Sequence, residues 1–81
     1  MRVDVRLFAS YREAAGTNHL STELPAGARV GDLLRALQAR VPGLGASRGL
    51  VAVNRAYVES DDAPLQPGDE VALIPPVSGG A

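Results

Sequence analysis

Cysteine is absent from the chain, which excludes thiol nucleophiles, disulfides, iron–sulfur clusters and cysteine-ligated metals. A single histidine cannot build a zinc site by itself. Tryptophan is absent too, and tyrosine and phenylalanine together number three. Charge of one sign is also missing as a dominant feature: eight basic and nine acidic residues leave a net charge of −1. They are scattered, with no basic stripe, so nucleic-acid binding has no electrostatic footprint. No apolar run approaches the roughly 18–20 residues that span a bilayer. Met1-Arg2-Val3-Asp4 alternates charge where a secretory leader would be apolar, so a cytoplasmic protein is expected. All eight basic residues are arginine and none is lysine. Drift toward arginine under GC-rich codon usage accounts for this. A functional account also exists, in which side-chain amines that would attack an activated acyl group are avoided.

What is present is a 46% apolar fraction in 81 residues, enough to close one thin core. Met1 to Ala9 alternates, with Val3, Val5 and Leu7 on one face and Arg2, Asp4 and Arg6 on the other, as in a half-buried strand. Ser10 to Gly16 reads as a short helical turn, Ser10 and Glu13 having capping-box spacing and Gly16 suiting a left-handed stop. Thr17 to Leu24 alternates again and ends at Pro25-Ala26-Gly27, so a second strand folds back on the first.

From Val30 to Val41, the positions Val30, Leu33, Leu34, Leu37 and Val41 recur at helical spacing, predicting the main helix. Asp32 falls in its first turn, where the dipole favours an anion, and Pro42-Gly43 ends it. Leu44 to Gly49 is a loop of small residues, with a single helical turn around Leu44. Leu50 to Val53 reads as a buried strand, closed by Asn54-Arg55 and resumed at Ala56-Tyr57-Val58. Leu65 to Asp69 is a turn in which Pro67 fixes an angle and Gly68 takes positive φ, and Glu70 to Ile74 is the last strand.

This order predicts an α+β protein, a ubiquitin-like β-grasp with a mixed sheet of about five strands and one main helix across one face. A ferredoxin-like arrangement would need a second full helix, and the stretch between Val58 and Val71 is too short and too rich in Asp and Pro for one. The expected organisation is a β-grasp domain over residues 1–74 followed by a flexible tail over 75–81.

The body of the chain offers little chemistry. Asp61-Asp62 reads as a solvated acidic turn. His19 has no partner carboxylate in its local pattern and reads as a surface residue. Tyr11 and Tyr57 mark either an interface or half-buried packing. The tail is different. Pro75-Pro76 forbids further ladder pairing, and Gly79-Gly80 removes side chains near the end. From Pro75 to Gly80 the chain reaches roughly 20 Å, at about 3.3–3.6 Å per residue, enough to thread a narrow channel in a partner. A Gly-Gly pair alone reads as a frayed terminus. The complete run Ile74-Pro75-Pro76-Val77-Ser78-Gly79-Gly80 after a Gly-Asp-Glu turn and a strand is more specific.

With Leu7-Phe8-Ala9, Arg12-Glu13, Gly16, Val51-Ala52-Val53-Asn54, Leu65 and Gly68-Asp69-Glu70-Val71-Ala72, that run resembles the MoaD family, small subunits of molybdopterin synthase and sulfur carriers of ubiquitin-like fold. The resemblance implies that a MoeB-type enzyme uses ATP to adenylate the carboxylate of Gly80. Sulfur transfer then gives a C-terminal thiocarboxylate. The loaded tail, with Pro75, Pro76, Val77, Ser78 and Gly79 as its partner-binding stretch, enters a MoaE-type large subunit in a heterotetramer and donates sulfur to the molybdopterin precursor. The carrier itself then binds no cofactor and no metal, and the catalytic side chains lie on the large subunit.

Two positions depart from the family pattern. Ala81 follows the second glycine, so either a JAMM-type protease removes it, or it is an added residue, or the chain is a degenerate member. Arg29 stands where a helix-capping Thr or Ser is expected. Other carrier pathways (cysteine synthesis, thiazole synthesis, tRNA thiolation) share the Gly-Gly ending. A protein-binding module that never reacts is the alternative outside the carrier class, and an autonomous enzyme has little room for a pocket in so thin a core. For a carrier, Phe8, Leu73 and Ile74 are candidate contacts for the large subunit, with a core role for each as the alternative.

Overall fold

The structure, a computed structural model, describes residues 1–44 and 49–75; the predicted tail residues Pro76, Val77, Ser78, Gly79, Gly80 and Ala81 lie outside the described residues. The elements in chain order are β1 (Arg2–Leu7), α1 (Ala9–Ala15), β2 (His19–Glu23), α2 (Val30–Arg40), a 3-10 turn at Pro42–Leu44, β3 (Leu50–Val53), β4 (Ala56–Val58) and β5 (Glu70–Ile74). The five strands form one mixed sheet in the order β2-β1-β5-β3-β4. β5 is inserted between the two hairpins, parallel to β1 and antiparallel to β3. This is the ubiquitin-like β-grasp expected from the element order.

Alternation in β1 is realised as predicted, with Val3, Val5 and Leu7 all buried. They share the core with Val30, Leu33 and Leu37 of α2, all fully buried, and with Val71 and Leu73 of β5 and Val51 of β3. Each such aliphatic side chain contributes about 1.5–3 kcal/mol by leaving water. Leu34 and Val41, on the margins of the helical stripe, pack against this core only partly buried. Tyr11 of α1 and Leu44 of the 3-10 turn close one end of the core.

Three local expectations are corrected. The N-cap of α1 is Phe8 and no side chain caps it, so Ser10 and Glu13 form no capping box. The cause is Ala9, whose φ of 50° turns the chain sharply from strand into helix two residues earlier than the Ser10 spacing implies. β3 is not buried throughout: Leu50 is 52% exposed, because only the sheet face that carries Val51 is covered by α2. His19 does have a carboxylate neighbour, since strand pairing brings Asp4 to 3.7 Å from its Nε2. The left-handed stop at Gly16 (φ 75°) and the positive φ at Gly68 (83°) are as expected.

At the start of α2, the Arg29 N–H donates to Asp32 Oδ2 at 2.9 Å, one arm of a capping box. The other arm is missing because a guanidinium has no acceptor to offer. Instead the Val30 and Gly31 N–H groups donate to the Ala63 and Asp61 carbonyls at 3.0 and 2.8 Å. The loop before β5 therefore supplies what Thr or Ser at position 29 would have supplied.

Candidate functional site at the root of the tail

β5 lies in the interior of the sheet, and the chain leaves it at Pro75, which is half-buried. Proline has no N–H to offer, so β5 cannot extend its pairing through this residue. Leu50 and Ile74 are a cross-strand pair at the exit. Alternation puts both on the face opposite Val51 and Leu73, away from α2. Phe8 follows buried Leu7 in extended conformation (φ −124°, ψ 155°), so it too turns to that outer face and is 43% exposed. Parallel pairing of Leu7 with Leu73 brings it to the same end of β5. Ala52 pairs with Ala72 on one side and with Tyr57 on the other, adding small residues and a 69% exposed aromatic ring to the same face.

Phe8, Leu50 and Tyr57 are the large apolar side chains left most exposed among the described residues, and all three stand on this outer face. The rest of that face is polar and internally matched. Arg6 Nε lies 3.3 Å from Glu70, and the Ser21 hydroxyl donates to Asp4 at 3.2 Å. The outer face thus divides into a charged half on β2 and β1 and an apolar corner around the point where the tail begins. Such a corner is suited to shape and hydrophobic contact with a partner protein, and its position ties that contact to the tail.

Of the residues singled out from sequence, Phe8 and Ile74 belong to this corner, whereas Leu73 is 3% exposed and belongs to the core. Tyr11 is buried in packing, and Tyr57 is a surface ring. Of the predicted tail residues only Pro75 falls within the described residues. Leu50 was missed because an apolar run hides its parity; only the pairing of Val51 with Leu73 reveals which members of the run face outward.

A second, shallow depression at the start of α2 is lined by Arg29, Gly31, Asp32, Arg35, Asp61 and Asp62. Its charges are largely spoken for. The Arg29 N–H, foremost, and then the Arg35 guanidinium hold the Asp32 carboxyl below the usual aspartate range. The Asp61 carbonyl caps the helix, and the Asp62 N–H donates to Ser60 Oγ at 3.0 Å. Among the described residues no group of three or more His, Asp or Glu side chains converges to hold a metal. No helix among them is long and apolar enough to cross a membrane.

An interior β5 that delivers the chain beside an apolar corner, on a sheet gripped by one helix, defines a ubiquitin-like protein organised around its C-terminal strand. The chain belongs to the ThiS family, whose model matches residues 5–80 and so ends on Gly80. It is 43% identical to the molybdopterin synthase sulfur carrier subunit of Chlamydomonas reinhardtii, over 99% of this chain and 100% of that protein. The human protein of the same name is 39% identical over 98% of this chain and 94% of its own length. Among solved structures, a Pyrococcus furiosus chain assigned as molybdopterin converting factor subunit 1 superposes with a TM-score of 0.85 at 36% identity, covering 95% of this chain and 99% of its own. A chain in a complex of subunits 1 and 2 of the Helicobacter pylori molybdopterin-converting factor superposes with a TM-score of 0.70 at 27% identity, covering 99% and 100%.

Proposed function

We propose that this chain is the sulfur-carrier subunit of a molybdopterin synthase. The observation that carries the reading is the end-to-end likeness to proteins of that name, at up to 43% identity among those compared. The tail root beside an apolar corner supports it, because a carrier must dock by its body while its end reaches a reacting centre elsewhere. Gly80 is the reacting position. Its carboxylate attacks the α-phosphate of ATP on a MoeB-type activating enzyme, pyrophosphate leaves, and an acyl-adenylate forms. A sulfide-level sulfur nucleophile then displaces AMP, leaving a thiocarboxylate.

The loaded tail next enters the large subunit, a MoaE-type protein in a heterotetramer, whose side chains supply the catalysis. The two-subunit complex from Helicobacter pylori supports such a partner. Pro75 and Pro76 stiffen the start of the tail, and Gly79 lets its end pass close to the channel wall. Gly80 bears a free carboxylate only once Ala81 is gone, so a JAMM-type protease acts before charging, in the cytoplasm with the other partners. Ala81 favours one second reading, a carrier of the same mechanism that serves cysteine synthesis.

Intact-mass measurement of the untagged protein, before and after incubation first with a JAMM-type protease and then with activating enzyme, ATP and sulfide, tests the proposal. Loss of Ala81 followed by exchange of one oxygen for sulfur at Gly80 is the expected result. A mass that never changes, with Ala81 present or removed, overturns it in favour of an unreactive binding module. Sulfur transfer from the charged protein to a pterin acceptor on the large subunit separates the molybdopterin reading from the cysteine one.

A further inference from the structure

We propose that Gly49 aims the tail: its bare Cα is the seat over which the chain turns out of the sheet. The proposal rests on the reading that the tail is the reacting element. Gly49 lies one step beyond the Leu50–Ile74 pair, opposite Pro75. A Cβ there would stand 1.9 Å from the Ile74 carbonyl oxygen and 2.9 Å from the carbonyl carbons of both Ile74 and Pro75. All three are backbone atoms, so no change of rotamer makes room. Gly49 is not in the left-handed region, so the demand for glycine is one of space rather than conformation.

The position matters because ladder pairing stops here. Leu50 still pairs with Ile74, but Pro75 has no N–H with which to continue. Past this point, direction is set by what the backbone rests on, and it rests on Gly49. A methyl group at 49 must push out either the start of β3 at Leu50 or the segment Ile74–Pro75. The latter is the freer of the two at its far end, since its pairing has just ended. The Ile74 side chain belongs to the apolar corner, so such a displacement also changes the angle between docking surface and tail. Gly49 is therefore a positioning residue, acting through Pro75 on a glycine it does not touch.

The test compares Gly49→Ala with Val53→Ala, a truncation in the adjoining strand β3 that leaves the tail root alone, both in protein from which Ala81 has been removed so that Gly80 can be charged. Charging by the activating enzyme, measured well below both melting temperatures, should fall roughly ten- to a hundredfold in kcat/KM for Gly49→Ala, the scale expected of a misplaced reacting group. It should change less than about twofold for Val53→Ala, as for a substitution remote from the reacting end. Equal losses in the two variants overturn the proposal, because a general weakening of the fold then explains both.

A partner-free readout uses the absence of cysteine. Spin labels on Arg35→Cys and Ser78→Cys report the distance from α2 to the tail, and Gly49→Ala should shift that distribution while Val53→Ala leaves it in place. An unshifted distribution overturns the proposal whatever charging does. A shifted distribution in a protein that no activating enzyme charges keeps the aiming role and removes the carrier reading. Should Gly49→Ala not fold, the wild-type protein still decides: nuclear Overhauser contacts between Gly49 Hα and Pro75 Hα are expected in solution, because Gly49 faces the Ile74 carbonyl oxygen and Pro75 carbonyl carbon, and their absence overturns the seat.

Discussion

Ala9 is the residue at which local preference and fold disagree most plainly. Its φ of 50° lies in the left-handed region, which costs an L-residue roughly 1–2 kcal/mol. The conformation persists because it turns the chain from β1 directly into α1, whose Tyr11 is buried in the core. Replacing Ala9 by Val adds a β-branched side chain to that conformation and should destabilise the protein by a further ~1 kcal/mol or more. Ala9→Gly should be near neutral, relief of strain being offset by the greater freedom of glycine in the unfolded chain. Urea midpoints of the two variants check the pair, and equal midpoints would remove strain as the explanation. Asp32 carries a second residue-scale expectation. Its carboxyl is held below the ordinary value first by the Arg29 N–H and then by Arg35, so the folded pKa is the depressed one. Its stabilising contribution is therefore complete above the unfolded aspartate pKa of about 4 and is lost as pH falls through the lower folded value. Asp32→Asn should be less stable than wild type at pH 7, and the gap should narrow on acidification to pH 3. A gap that stays constant would mean that the carboxylate charge is not what holds the helix start.

The elements of this fold are joined by small polar devices as much as by the core. Asn54 and Arg55 both take positive φ, 50° and 73°, and so make a tight β3–β4 hairpin. The Asn54 side chain then reaches across to β5: its amide donates to Asp69 Oδ1 at 2.9 Å, and its carbonyl accepts the Glu70 N–H at 3.0 Å. The other Asp69 oxygen accepts the Gln66 N–H at 2.8 Å, so this carboxylate, only 9% exposed, ties the hairpin and the turn together. Asn54→Ala strips a partner from each of two groups and should cost about 1–3 kcal/mol, with amide exchange accelerating first at Glu70. Unchanged exchange there would locate the clamp elsewhere. How much of this was legible in the sequence follows from what each signal encodes. The helical stripe of α2 and the alternation of β1 report burial directly, because each needs one covered face and little else. The insertion of β5 between β1 and β3 reached the sequence reading through element order and resemblance, since pairing partners leave no trace in periodicity. Leu50 and Ala9 escape the sequence for different reasons: the first depends on which face of an apolar run is covered, the second on a backbone turn that alanine does not advertise. Arg29 was noticed as a departure from the usual cap, but its compensation by the Ala63 and Asp61 carbonyls needs the fold to be seen.

On the scale of the whole molecule, stability and proposed function occupy opposite faces of one sheet. The α2 side holds Leu33 and Leu37 at 0% exposure, whereas the outer face leaves Phe8 and Leu50 at 43% and 52%. Substitutions on the two faces should therefore separate the two properties. Leu37→Ala opens a cavity in a thin core and should cost about 2–5 kcal/mol, a large part of the stability of a domain this small. Leu50→Asp alters a side chain already half in water and should move the unfolding free energy by no more than about 0.5 kcal/mol. If the apolar corner is where the activating enzyme or the large subunit docks, Leu50→Asp should nevertheless weaken that association strongly. It buries a charge at the contact and disturbs the neighbour of Ile74, at the point where the tail begins. Titration calorimetry with each partner, set beside urea unfolding of the free protein, reads both quantities. Loss of binding with stability intact would place the interface at the corner. Binding equal to wild type would move the docking surface to the charged half of the sheet, where Arg6 and Glu70 would be the next pair to reverse.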